Sequence, residues 1–355
     1  MARVFSSQPL ELLENAPIQF SLEVFLPMHY TRSQMVRPRL IAIVGPTASG
    51  KSQVATEMAS TVNAEIISAD SMQIYKYMDI GTNKPSPEDR GHIPHHLIDI
   101  IFPDEIFSAA RYRERARAVI DGLGNVGRNV LIVGGTGLYI KALLRGLFPS
   151  PAADESLRQD LRERANRLGR RALWRELNDV DPTSASRLHP NDTLRIVRAL
   201  EVFRQTGIPL SDWQKKHAFG DCPYEVFKIG LMRKREDLYR RIENRVDDMV
   251  RRGFVEEVRS LLNMGYGRNL KSMQGLGYKR MVEHLCGERD LEEAVVLIKR
   301  ETKAYAKRQL TWFRSDPEIT WVRYPEDGGR TVELAKQFLK PGRPRPMIVK
   351  TAMNG

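Results

Sequence analysis

One short segment limits the fold more than any other. Leu40-Ile41-Ala42-Ile43-Val44 is an unbroken apolar run, the pattern of a strand buried on both faces. It leads into Gly45-Pro46-Thr47-Ala48-Ser49-Gly50-Lys51-Ser52, a match to G-x-x-x-x-G-K-[ST], and Gln53–Val62 then reads as a helix. In that strand–loop–helix context the loop amides and the helix N-terminus form an anion cradle. Lys51 is expected to contact phosphate and the Ser52 hydroxyl to be a magnesium ligand. The motif calls for a polyphosphate without saying which one.

The pattern continues as alternating strands and helices. Ala64–Ser68 predicts a second strand that ends at Asp70, Leu97–Ile100 a third, and Asn129–Val133 a fourth running into Gly134-Gly135-Thr136-Gly137. Ser108 is placed to cap a helix over 109–121. Such alternation implies right-handed βαβ units and a parallel sheet, with ligands at the carboxyl ends of the strands. The strand signal stops near residue 144 and returns at Glu225–Leu231. The expected organisation is an α/β core over 38–143 and 223–325, a helical insertion over 144–222, a poorly ordered extension over 1–37 and a tail over 326–355. Within the second part of the core, helices are expected over 236–250, 254–264, 278–286 and 290–314, and a last strand at Thr320–Val322.

Composition narrows the function. The 355 residues carry 56 Lys and Arg against 44 Asp and Glu, a formal net charge of +12, which favours a polyanionic partner such as nucleic acid. Two cysteines, Cys222 and Cys286, exclude a disulfide scaffold and fit a reducing cytoplasm. No apolar run reaches the roughly 18–20 residues that span a bilayer, and no signal peptide is expected.

Several residue clusters carry chemistry. Asp70, at the end of the second strand, is placed beside the phosphate loop, where a carboxylate can take a proton from an attacking nucleophile; a turn or cap Asp is the plainer alternative. Thr136 offers a hydroxyl in a glycine-rich turn that lets a ligand approach the backbone. Arg195 and Arg198 lie three apart, on one helical face, and either grip phosphates or form a solvated face with Glu201 as partner. Arg158 opens an arginine-rich helical stretch. Lys299, Arg300, Lys303, Lys307, Arg308 and Arg314 interleave with Tyr305, Trp312 and Phe313, which suits phosphate contact with base stacking as well as it suits core packing.

Taken together, GPTASGKS (45–52), SADSMQIYKYMDIGTNKP (68–85), GGTGLYIKALLRGL (134–147), HPNDTLRIVRALEVF (189–203), RRIENRV (240–246) and QGLGYKRM (274–281) resemble the bacterial tRNA dimethylallyltransferases, also called tRNA isopentenyltransferases. The resemblance spans about 38–325. It implies a P-loop α/β fold and transfer of a dimethylallyl group from dimethylallyl pyrophosphate to the exocyclic N6 of an adenosine beside the anticodon. It further implies that the phosphate loop holds a pyrophosphate with Mg²⁺, that Asp70 is the base, and that Thr47 and Arg245 contact the diphosphate. Thr136, Arg158, Asp70-Ser71-Met72-Gln73, Leu194-Arg195-Ile196-Val197-Arg198 and Gln274-Gly275-Leu276-Gly277-Tyr278-Lys279 then match segments facing the tRNA anticodon stem-loop. Family members often have Thr where Ser52 stands, and Gln and Arg where Leu194 and Gln274 stand. A cytoplasmic monomer without membrane attachment is expected. The rivals are a P-loop small-molecule or nucleotide kinase, a non-catalytic RNA-binding protein on the same scaffold, and an enzyme that prenylates free adenine nucleotides. The GGTGLY turn, the HPNDTLRIVRALE helix and the basic insertion argue against the kinase, the retained Lys51, Ser52 and Asp70 against the non-catalytic protein, and the long basic helical regions against a mononucleotide substrate.

Overall fold

The computed structural model describes residues 37–149, 151–217 and 222–340. In chain order these hold β1 (Arg39–Val44), α1 (Lys51–Val62), β2 (Ala64–Ser68), α2 (Pro87–Arg90), β3 (His95–His96), α3 (Ala109–Asn125), β4 (Asn129–Gly134) and α4 (Gly137–Arg145). A helical stretch follows: α5 (Glu155–Leu168), α6 (Arg170–Val180), α7 (Pro182–Ala185), α8 (Thr193–Thr206) and α9 (Leu210–His217). Next come β5 (Glu225–Met232), α10 (Arg235–Arg251), α11 (Phe254–Asn263), α12 (Tyr278–Leu285), α13 (Leu291–Arg314), β6 (Ile319–Arg323) and α14 (Gly328–Leu339). The expected extension over 1–37 lies outside the described residues except for Arg37.

All strands pair in parallel, in the order β3-β2-β4-β1-β5-β6. The unbroken apolar run of β1 follows from burial on both faces. Leu40, Ala42 and Val44 pack into one cluster with residues of α3, α4 and α10–α13, while Ile41 and Ile43 pack into another with α1 and α14. Each fully buried Leu, Ile or Val contributes about 1.5–3 kcal/mol. Ser108 caps α3, accepting from the Arg111 N–H at 3.2 Å, and Asp192 caps α8, accepting from the Arg195 N–H at 3.3 Å.

Helices α5–α8 bury a cluster of their own, with Leu161, Leu173, Leu177, Ile196 and Leu200 at its centre. It begins later than the expected boundary at 144, because Leu143 and Leu144 of α4 belong to the main core.

Two further expectations need correction. Leu97–Ile100 is not a strand. Leu97 (φ 61°) and Asp99 (φ 58°) take left-handed backbone that no strand accommodates, and the paired residues are His95 and His96. Asp99 accepts instead from the buried Lys84 ammonium at 2.5 Å. The tail expected from 326 contains α14, whose Leu334, Ala335 and Phe338 are buried beside β5 and α1; residues 341–355 lie outside the described part.

Candidate active site

The phosphate loop leaves β1 at Gly45, whose φ of +144° suits glycine alone. A Cβ there would stand 2.6 Å from the Leu231 carbonyl of β5. Ala48 (φ 62°) and Gly50 (φ 103°) supply the alternation of backbone hand that makes an anion nest. Lys51 opens α1 and folds back, its Nζ donating to the carbonyls of Gly45 at 3.0 Å and Pro46 at 2.7 Å. Burial pulls its pKa down to about 8; Asp70 opposes that shift and Arg245 adds to it. Ser52 is exposed in the first turn of α1.

Asp70 follows β2 directly. Its Oδ1 accepts from the backbone N–H of Met72 at 2.8 Å and of Gln73 at 3.4 Å, which fixes the carboxylate. The end of β4 is knitted to the same turn. The Thr136 N–H donates to the Ala69 carbonyl at 3.1 Å, and the Thr136 hydroxyl accepts from the Ser71 N–H at 3.0 Å.

Arg245 reaches this region from α10. It donates to the Thr47 hydroxyl at 2.9 Å and to the Thr82 carbonyl at 3.3 Å. Burial lowers its affinity for the proton, and Asp70 offsets part of that. Lys51, Asp70 and Arg245 are thus electrostatic neighbours on one cavity of about 930 Å³, also lined by Ser52, Gln73 and Leu276.

Sequence reasoning did not single out Gln309 of α13. Its Oε1 accepts from the Thr47 N–H at 2.8 Å and its Nε2 donates to the Gly135 carbonyl at 3.0 Å, joining the phosphate loop to the β4 turn. Tyr305, one helical turn earlier, lines the same cavity, and burial together with Asp70 pushes its phenol up to about 12. The 305/309/312 spacing on one face of a cationic, aromatic helix was the available signal.

The remaining candidates divide. Gly275 packs on Met72, where a Cβ would come within 2.4 Å of the thioether methyl, and Leu276 and Gly277 line the cavity. Tyr278 also lines it, but its ring is buried edge-on against Phe254, with centroids 5.1 Å apart. Gln274 and Lys279 are exposed, with the Gln274 amide donating to the Arg268 carbonyl at 2.6 Å. Leu194 is 77% exposed, and Arg195 beside it pairs loosely with Asp192 at 3.1 Å.

Ile196 and Val197 are core residues of the helical stretch and offer no side chain to a ligand. Arg158 and Arg198 converge on the fully buried Glu201, at 3.0 and 2.6 Å. Burial pushes the Glu201 carboxyl up. Hydrogen bonds from Arg198, the Asp154 N–H and Arg158 outweigh it and hold the group below its usual value. Arg198 thus pairs with Glu201, which is buried rather than part of a solvated face, while its own side chain stays partly exposed.

The family model described as IPP transferase matches residues 73–316. The tRNA dimethylallyltransferase 2 of Geotalea uraniireducens (strain Rf4) is 55% identical over 288 residues, covering 81% of this chain and 93% of that protein. The tRNA dimethylallyltransferase of Geobacter sulfurreducens is 52% identical over 302 residues, covering 85% and 97%. Among solved structures, the tRNA isopentenylpyrophosphate transferase of Bacillus halodurans superposes with a TM-score of 0.64 at 39% identity, over 84% of this chain and 96% of that one. A eukaryotic dimethylallyltransferase acting on tRNA gives a TM-score of 0.73 at 27% identity, over 87% and 81%.

Proposed function

The chain belongs to the IPP transferase family, and from that premise we propose that it transfers a dimethylallyl group from dimethylallyl pyrophosphate to the exocyclic N6 of an adenosine beside the tRNA anticodon, releasing pyrophosphate. The observation that carries this reading is a single cavity walled by both the phosphate loop and Asp70, with Arg245 tied to Thr47 across it. The kinase reading is not favoured, since the relatives sharing half of its residues are tRNA dimethylallyltransferases.

The chain's own groups divide the work. The diphosphate lies on the loop amides, and Lys51 exchanges its bonds to the Gly45 and Pro46 carbonyls for bonds to phosphate oxygens. As the allylic C–O bond breaks, negative charge grows on the leaving group, where Lys51, Arg245 and the amides act most strongly. The N6–carbon bond forms and Asp70 takes the N6 proton, a contribution of roughly 10²–10⁴-fold. Thr47 orients Arg245 on the diphosphate.

The exposed Ser52 hydroxyl would hold Mg²⁺ together with the diphosphate's own oxygens. Among the described residues no group of three His, Cys, Asp or Glu forms a separate metal cage. An oxygen donor set with few protein ligands suits this ion. When bound, it neutralises charge on the leaving group.

The target base must leave its stack, at a cost of a few kcal/mol. Backbone contacts to the anticodon stem-loop offset this, and the helices between 144 and 222 are proposed as the lobe that makes them, with Arg195 and Leu194 on its exposed face. Thr136, Ser71, Met72, Gln73 and the 274–279 segment are the proposed contacts nearer the reacting base. No helix among the described residues is long and apolar enough to cross a membrane; a cytoplasmic monomer is the proposed state.

The deciding experiment mixes purified protein with undermodified tRNA, Mg²⁺ and either labelled dimethylallyl pyrophosphate or γ-labelled ATP. Label entering tRNA from the first supports the reading. Transfer of γ-phosphate to a small acceptor would overturn it.

A further inference from the structure

Glu257 stands in the first turn of α11 and belongs to none of the motifs discussed so far. Each of its carboxylate oxygens accepts two hydrogen bonds. Oε2 accepts from the backbone N–H groups of Asp79 at 2.8 Å and Ile80 at 2.6 Å. Oε1 accepts from the Gly81 N–H at 3.1 Å and from the Tyr278 hydroxyl at 2.7 Å. These partners belong to two segments that both line the cavity. Gly81 and Thr82 come from one and Leu276–Tyr278 from the other, and the two abut at Gly81 and the Tyr278 ring.

The next residue after the clasped peptides is Thr82, whose carbonyl accepts from Arg245. Arg245 in turn holds the Thr47 hydroxyl of the phosphate loop. The Gly81 backbone also presses on the Phe254 and Tyr278 rings, where a Cβ would come within 2.2 and 2.5 Å. One carboxylate therefore sets the peptide that aims Arg245 and anchors the tyrosine of the 274–279 segment.

We propose that Glu257 is a positioning residue for the transfer reaction, clasping the 79–82 loop and Tyr278 so that Arg245 is held on the diphosphate. The proposal rests on the role given above to Arg245. Glutamine at this position keeps the length and shape of the side chain. However it is turned, its NH₂ group faces backbone N–H donors and leaves at least one of them without an acceptor.

The experiment measures kcat, and KM for both substrates, in Glu257→Gln, Arg245→Lys and the double variant, each checked for folding by circular dichroism. A misplacement of the cation should lower kcat about 10- to 100-fold in Glu257→Gln. Because both changes act through Arg245, the double variant should be little slower than the slower single variant. A role confined to stability would instead leave kcat of folded Glu257→Gln unchanged, and an effect independent of Arg245 would multiply the two losses; either result in folded variants overturns the proposal while leaving Arg245 in place. An unchanged kcat in Arg245→Lys would sink the Arg245 role and this proposal with it. If Glu257→Gln does not fold, Tyr278→Phe removes only the hydroxyl that Glu257 accepts from. Its effect on kcat should disappear in the Arg245→Lys background, and persistence there counts against the proposal.

Discussion

Arg245 donates to the Thr47 hydroxyl at 2.9 Å, across 198 residues of chain. The phosphate loop is therefore completed by a helix from the far half of the molecule. Thr47→Val should leave the loop folded, because the Gln309 contact is to the Thr47 backbone N–H. It should loosen Arg245 and cost about 1–3 kcal/mol of transition-state stabilisation, read as kcat/KM for the diphosphate substrate. An unaltered kcat/KM would remove the threonine from the mechanism.

Asp70→Asn keeps the acceptor oxygen that binds the Met72 and Gln73 N–H groups, so the turn should survive. Turnover should fall about 10²-fold or more while tRNA affinity stays within a few-fold. Single-turnover assays with saturating substrates separate the two, and near-normal rates would exclude the base.

Lys51 gives the site a pH dependence whose sign is fixed. The diphosphate prefers the protonated ammonium, and in the free protein that proton is held with a pKa of about 8. Affinity for inorganic pyrophosphate is therefore greatest below pH 8 and should decline above it, by up to about tenfold per pH unit. Binding near pH 8 to 9 should take up protons, visible as a dependence of the calorimetric heat on the buffer's ionisation enthalpy. Lys51→Arg, always charged, should flatten the profile.

The arginines of the helical stretch divide into two kinds. Glu201 is fully buried and holds Arg158 and Arg198, so Glu201→Ala should destabilise the protein by about 3–5 kcal/mol in urea unfolding. Its folded carboxyl lies below the unfolded value of 4.5. The stabilisation is thus complete above that value and is lost as pH falls through the lower folded one. Arg195, exposed, should behave otherwise. Arg195→Ala should leave stability nearly unchanged and reduce the salt slope of tRNA binding by roughly 0.7–0.9. A slope unchanged by Arg195→Ala would remove that residue from the interface.

The parallel sheet was legible because burial on both faces leaves an unmistakable mark: Ile41 and Ile43 serve one cluster, Leu40, Ala42 and Val44 the other. The phosphate loop, Asp70 and Thr136 were legible because each follows such a strand. Gln309 and Glu257 were not, since each acts on backbone atoms distant in sequence, and no local pattern records that. The apolar run Leu97–Ile98 misled for a related reason. It is an irregular turn held by the Lys84–Asp99 pair, and its composition alone reads as strand. Arg158 and Arg198 show the limit of charge counting. Spacing offered Glu201 as a partner of Arg198, but nothing local records that this carboxylate is buried and engages Arg158 as well.

The central place of β1 has a consequence in time. Its β4 edge is paired from the near side, but Arg39 lies opposite Glu225, 186 residues later. At about 5–20 residues per second, a growing chain waits roughly 10 to 40 s between making β1 and making β5. Through that interval an apolar strand edge stands open, the kind of surface on which nascent chains stick to one another. The helices of the intervening stretch can bury their own cluster meanwhile. They do not cover the edge, so slow synthesis or high expression should raise aggregation before it lowers the activity of the molecules that finish folding.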